Sequence, residues 1–139
     1  MIRTMAFALG ALSFAASHPA SAATPIAGRW VTEDKSALVD IAPCGNRLCG
    51  TIIRFLTPPK GGPDPRDVNN ADPAKRSRRI LGLAILTGFA PAGDEWKGQI
   101  YDPRSGKTYR SVLVRTGNSL AVKGCLNIFC KTQTWTRGQ

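Results

Sequence analysis

The sequence predicts an all-β fold, an antiparallel up-and-down barrel of about eight strands with one short helix in a long loop. Three observations lead there. β-Branched and aromatic segments alternate apolar with polar positions, turn residues separate them at short intervals, and only one stretch carries the signals of a helix. Connections this short pair neighbouring strands antiparallel. A meander of eight strands can then remove its open edges by closing on itself.

Residues 1–22 precede the fold. A single cation, Arg3, is followed by an apolar run too short to span a bilayer as a helix, and Ala20-Ser21-Ala22 offers the small residues of a cleavage site. Residues 1–22 therefore read as a signal peptide and 23–139 as one barrel domain. Cleavage removes His18, the sole histidine of the chain. Ser-His-Asp and Cys-His catalysis are thereby excluded, as are His-containing zinc sites. No second apolar segment approaches membrane-spanning length, so the mature chain has no transmembrane segment. Lys and Arg number 19 against 9 Asp and Glu. The product is expected to be a basic exported protein, periplasmic or secreted if the source is bacterial.

The strands are expected at 28–32, 37–42, 48–55, 83–89, 95–101, 108–115, 119–124 and 131–137. The turns between them have chemistry behind them. Pro43-Cys44-Gly45-Asn46, Pro91-Ala92-Gly93-Asp94, Asp102-Pro103-Arg104-Ser105-Gly106 and Thr116-Gly117-Asn118 supply Gly or Asn for positive φ, or Pro for a fixed φ. The exception is 57–79, rich in Pro, Gly, Asp and Arg, a length that compact domains seldom carry without structural or functional reason. Its second half reads as a helix of about two turns, with Asp72 as N-cap, Pro73 at the first position and Gly82 beyond the end. Lys75, Arg76, Arg78 and Arg79 surround it. Such a helix would cover one mouth of the barrel.

Cys44, Cys49, Cys125 and Cys130 form two pairs with the same internal spacing. In an exported protein an even count points to disulfides, and zinc fits the spacing poorly. The turns after strands two and seven lie at opposite ends of a meander, so Cys44 should pair with Cys49 and Cys125 with Cys130. Each bridge clamps a hairpin. A redox role is disfavoured because the spacing is not Cys-x-x-Cys and no histidine is at hand.

Gly28-Arg29-Trp30, Leu48-Cys49-Gly50, the stretch from Asn70 through Gly82, Gly98-Gln99-Ile100-Tyr101-Asp102-Pro103, Gly106-Lys107-Thr108-Tyr109 and Gln133-Thr134-Trp135-Thr136-Arg137 follow one another in that order. In these motifs the chain resembles the exported bacterial family known as domain of unknown function 2147. The resemblance spans nearly the whole of 23–139 and implies a lipocalin-like barrel; it implies no settled activity. Members of that family often read Asn-Pro-Asp-Pro where this chain has Asn70-Ala71-Asp72-Pro73, and Arg-Pro where it has Arg78-Arg79. Lipocalins likewise carry Gly-x-Trp near the start and a basic residue near the end. The physical reading agrees: first and last strands are neighbours in a closed barrel. Gly28, Trp30, Trp135 and Arg137 belong to closure, with the Arg137 guanidinium stacked on Trp30, a contact of about 0.5 to 2 kcal/mol.

The expected function is non-enzymatic binding of a small apolar or amphipathic, anionic ligand, since an eight-stranded barrel can hold one small molecule or be filled by its own side chains. Val39, Ile41, Ile53, Phe55, Ile85, Ile100, Tyr109, Leu113, Leu120 and Val122 form the inward set. The ligand-binding candidates are Phe55, Ile85, Ile100 and Leu113 inside, Tyr101 and Tyr109 near a mouth, and the cations Arg76, Arg78 and Lys107 for an acidic head group. The alternative is an envelope adaptor with a filled barrel, whose basic surface meets an anionic glycolipid or an acidic protein. Nucleic acid is excluded as a partner because the basic run Lys75-Arg76-Ser77-Arg78-Arg79 lacks interleaved aromatics. Asp67-Val68-Asn69-Asn70-Ala71-Asp72 has alternating oxygen donors, but it lacks the Gly and terminal Glu of a calcium loop and suits Asx turns and capping. No metal and no cofactor is therefore assigned. Enzyme chemistry would rest on paired carboxylates among Glu33, Asp34, Asp40, Glu95 and Asp102, and no motif singles out a pair.

Overall fold

The computed structural model describes residues 10–17, 19 and 21–139. Half of the expected signal peptide, residues 1–9 with Arg3, and His18 and Ala20, lies outside the described residues. Eight antiparallel strands form a closed barrel in simple sequence order: β1 (Gly28–Val31), β2 (Ala37–Cys44), β3 (Arg47–Phe55), β4 (Ala84–Ala92), β5 (Glu95–Asp102), β6 (Lys107–Thr116), β7 (Ser119–Leu126) and β8 (Phe129–Arg137). Closure is made by β1 against β8, with Trp30 opposite Arg137 and Val31 opposite Thr136.

The interior holds Trp30, Val39, Ile41, Ile52, Ile85, Leu86, Phe89, Leu113, Leu120, Val122 and Trp135, all buried. Strict alternation places Ile53 among them, and this is corrected. Leu38 faces Arg54 while Val39 faces Ile52, so Ile53 is an extra residue in β3. A bulge of one residue exchanges faces: Ile52 is 6% exposed and Ile53 39%. β4 has two such irregularities, one around Ile85 and one at Thr87–Ala90, where Gly88 has φ +67°. They allow Ile85, Leu86 and Phe89 all to be buried despite their spacing. The Phe89 ring lies against Gly98 so closely that a Cβ there would stand 2.7 Å from the ring.

The helix is shorter than two turns. It is a single 3-10 turn, Pro73–Lys75, in which Asp72 caps as expected by accepting from the Ala74 N–H. None of its residues is buried. Without an apolar stripe a helix has nothing to set over a barrel mouth. The apolar residues lie instead in the segment returning to β4, with Ile80 in the core, Leu81 and Leu83 against it, and Gly82 and Leu83 bonded to the backbone of Ile52 in β3.

Cys44 is bonded to Cys49 and Cys125 to Cys130, with Cα–Cα separations of 5.8 and 4.1 Å. The bridges clamp hairpins at opposite ends of the barrel. Each closes a short loop and should contribute roughly 2 kcal/mol. Reduction should therefore lower the melting temperature while the β signature in far-UV circular dichroism persists. A non-reduced tryptic map containing a Cys49–Cys125 peptide would contradict the pairing.

Candidate functional site

The long loop is built around a buried carboxylate. Asp67 is 0% exposed and its two oxygens accept from three side chains: Tyr101 Oη at 2.5 Å, Asn70 Nδ2 at 2.9 Å and Arg78 Nε at 2.7 Å. Burial pushes the Asp67 carboxyl up. The hydrogen bonds from Tyr101, Asn70 and Arg78, with the charge of Arg78, outweigh that and hold it below the usual carboxylate range. Burial raises the Tyr101 phenol, and its bond to the Asp67 anion and that anion's charge raise it further. The Arg78 guanidinium also lies over the Tyr101 ring, 5.4 Å from its centroid.

Local sequence explains how this core forms. Asp67 N–H donates to the Arg78 carbonyl and Ile80 N–H to that of Pro65, so the two arms of the loop pair as a short ladder. Asn70 Oδ1 accepts from Asp72 N–H in an Asx-type turn, and its carbonyl accepts from Arg76 Nε. Asn69 Nδ2 reaches the carbonyls of Pro103 and Arg104 in the β5–β6 turn. Gly106, at φ +70°, leaves the Asn69 carbonyl the space a Cβ would take. Asp64 pairs with both Arg66 and Arg79 at the loop surface.

Strand register decides which face this network covers. Ile100 opposite Tyr109 packs toward the interior, so the adjacent pair, Tyr101 opposite Thr108, faces outward. Thr87 opposite Gln99 faces outward for the same reason, beside Leu86 opposite Ile100. The loop thus lies on the outer wall of β4–β6, not across the mouth. Between loop and wall is a concavity of about 370 Å³, lined among others by Asn70, Lys75, Arg78, Thr87, Gln99 and Tyr101. A second, of about 270 Å³, sits at the opposite end between the β2–β3 and β4–β5 hairpins, with Leu48, Phe89 and Trp96 in its walls and Arg47 beside them.

The sequence-derived candidates separate. Ile85 and Leu113 are buried in the core, and Phe55 and Ile100 pack against it. Tyr109 points inward, half-buried, and Lys107 is exposed near the β5–β6 turn. Tyr101 and Arg78 meet in the loop network, and Arg76 braces it through Asn70. Arg137 lies over Trp30 at 4.4 Å from the ring centroid and donates to the Ala27 carbonyl, while Arg115 approaches the same ring at 5.9 Å. Trp30 Nε1 donates to the Ile26 carbonyl, and Trp135 is buried with its Nε1 on Gln133. Asp67 was not among the candidates. The run of oxygen donors from Asp67 to Asp72 signals only Asx turns and capping, because the partners Arg78 and Tyr101 stand 11 and 34 residues from Asp67. Asp67, Asn70 and Ser111 are the buried polar residues among those described, and the Ser111 Oγ has no hydrogen-bond partner among them. Nor among them do three or more His, Cys, Asp or Glu side chains gather as metal ligands, and no helix among them is long and apolar enough to cross a membrane.

A closed, eight-stranded up-and-down barrel with Trp30 capped by a C-terminal arginine is a lipocalin-like architecture. The comparison with solved structures agrees. A Helicobacter pylori protein, HP1028, described as belonging to the lipocalin family, superposes with a TM-score of 0.72 at 23% identity, over 83% of this chain and 84% of that one. At that identity the likeness establishes the fold alone. Residues 28–137 match the model of a family described as uncharacterized proteins conserved in bacteria, DUF2147, and the chain belongs to that family. No curated protein matches the sequence.

Proposed function

We propose that this protein is an exported, non-enzymatic binding protein for a small anionic molecule, held between the long loop and the outer wall of β4–β6. The carrying observation is the concavity of about 370 Å³ in which Lys75 and Arg78 stand with one carboxylate, Asp72, which caps the Ala74 N–H, beside the polar side chains of Thr87, Gln99 and Tyr101. The two cations outnumber the one carboxylate and, with the Thr87 hydroxyl and the Gln99 amide, suit a carboxylate or phosphate, and the mixed lining leaves room for a modest apolar portion. The interior supports this placement, since large side chains occupy it and both concavities lie at the periphery. Asp67 has the chemistry of a strut, not of a general base: it is held as the anion and its oxygens are already engaged. Two disulfides and membership of a bacterial family support export.

Native mass spectrometry of protein taken from its own compartment tests the reading. A stoichiometric adduct that organic extraction removes, and that Lys75→Gln together with Arg78→Gln reduces, is the expected result. A clean apo mass, with no thermal shift in the presence of dodecyl phosphate or dodecanoate, would overturn it.

A further inference from the structure

The β7–β8 hairpin ends in an apolar tip with no covering among the described residues. Leu126, Ile128 and Phe129 are 46, 87 and 78% exposed, and they lie between Cys125 and Cys130, whose disulfide holds the turn. Asn127, at φ +54°, makes the reversal, and Arg110 Nη2 braces it by donating to the Asn127 carbonyl. β1 meets β8 only at Arg137 and Thr136 and does not reach the tip half of the hairpin. Large apolar side chains held outward by a covalent clamp have a cost in water that a solvated tip would avoid.

Charge identifies what covers them. From Pro103 to the C-terminus the chain has no Asp or Glu, but it carries Arg104, Lys107, Arg110, Arg115, Lys123, Lys131 and Arg137. Lys131 and Lys123 are exposed and stand three and five residues from Ile128, behind the apolar tip along the hairpin. At a rise of about 3.4 Å per residue Lys131 is about 10 Å behind Ile128 along the strand, while the Arg110 guanidinium lies at the turn itself, spent on the Asn127 carbonyl. An amphipathic element at a bilayer interface buries its apolar face by about 5–10 Å, with its cations left at the level of the headgroups. From the matching depth of Lys131, and from the absence of acid over three strands, we infer that the Leu126–Phe129 tip inserts into the interface of an anionic phospholipid bilayer, with Lys123 and Lys131 on the headgroups. A second copy of the chain is the poorer occupant, because tip-to-tip contact would bring the same cations together. The inference does not depend on the ligand site proposed above.

Sedimentation with unilamellar vesicles tests it, using the mature protein, residues 23–139, so that the apolar run of 1–22 contributes no binding of its own. Vesicles of phosphatidylcholine containing about one third phosphatidylglycerol should carry the protein down at low salt, and pure phosphatidylcholine much less. Ile128→Ser with Phe129→Ser should lower partitioning at least about tenfold while leaving the melting temperature unchanged, since neither side chain is packed. Lys123→Gln with Lys131→Gln should lower it several-fold and reduce the preference for the anionic lipid. Failure of the wild-type protein to bind either vesicle, or a double Ser variant that sediments like wild type, would overturn the inference. A dimer in solution that the double Ser variant dissociates would overturn it in favour of self-association.

Discussion

Trp30→Ala should destabilise the barrel by about 3–5 kcal/mol, the range for deleting a large buried aromatic and leaving a cavity, and Arg137→Ala by roughly 1–2 kcal/mol. The two residues face each other across the closing pair of strands, the guanidinium 4.4 Å from the ring centroid. β1 has only four residues, so closure depends on few hydrogen bonds. Trp30 extends it by filling that end of the interior and bonding through Nε1 to Ile26. Arg137 covers the ring, donates to Ala27 and occupies the space above Gly28, where a Cβ would collide with its guanidinium. Urea denaturation midpoints measure both effects. An Arg137→Ala protein with an unchanged midpoint would show that the stack contributes nothing to closure, with the neighbouring Arg115 as its substitute.

Asp67→Ala should release the long loop at a cost of about 2–3 kcal/mol. Removing the carboxylate strands the Tyr101 hydroxyl, the Asn70 amide and the Arg78 guanidinium, although Arg78 is 37% exposed and recovers part of its hydration. Trypsin should then cut at Arg66, Arg76, Arg78 and Arg79 well before it degrades the barrel. The stability difference between wild type and Asp67→Ala should also depend on pH in a defined way. The carboxyl's folded pKa lies below its ordinary 3.8, so its contribution is present above that value and disappears as the pH falls through the folded pKa. The Tyr101 phenol is shifted the other way, above 10.0, so its contribution is complete below pH 10 and is lost as the pH rises through the folded pKa. The difference should therefore be flat from about pH 4 to 10 and shrink on either side. A difference that does not vary below pH 4 would remove Asp67 from its role as the anionic centre of the loop.

Much of this molecule is legible in its sequence. Alternation locates all eight strands to within a few residues, because each is half-buried and its period-two pattern is local. Trp30 and Arg137 are readable as a pair because a closed meander makes its first and last strands neighbours. The cysteine pairing follows from the same topology. The site is far less legible. Tyr101 and Arg78 stand out as single residues, yet nothing local says that both bind one aspartate. Their sequence neighbours suggested a barrel mouth and a helix face instead.

The residue pattern alone therefore determines the number and order of the strands, their antiparallel pairing and the matching of the two ends, since these depend on short-range periodicity and turn chemistry. Only the tertiary structure decides that Ile52 and not Ile53 faces inward, that the expected helix is one 3-10 turn at Pro73–Lys75, and that the long loop lies on the outer wall around Asp67. A one-residue bulge reverses a face without changing composition. A buried carboxylate is tolerable only where separate parts of the chain bring it enough donors, and no local pattern records that meeting.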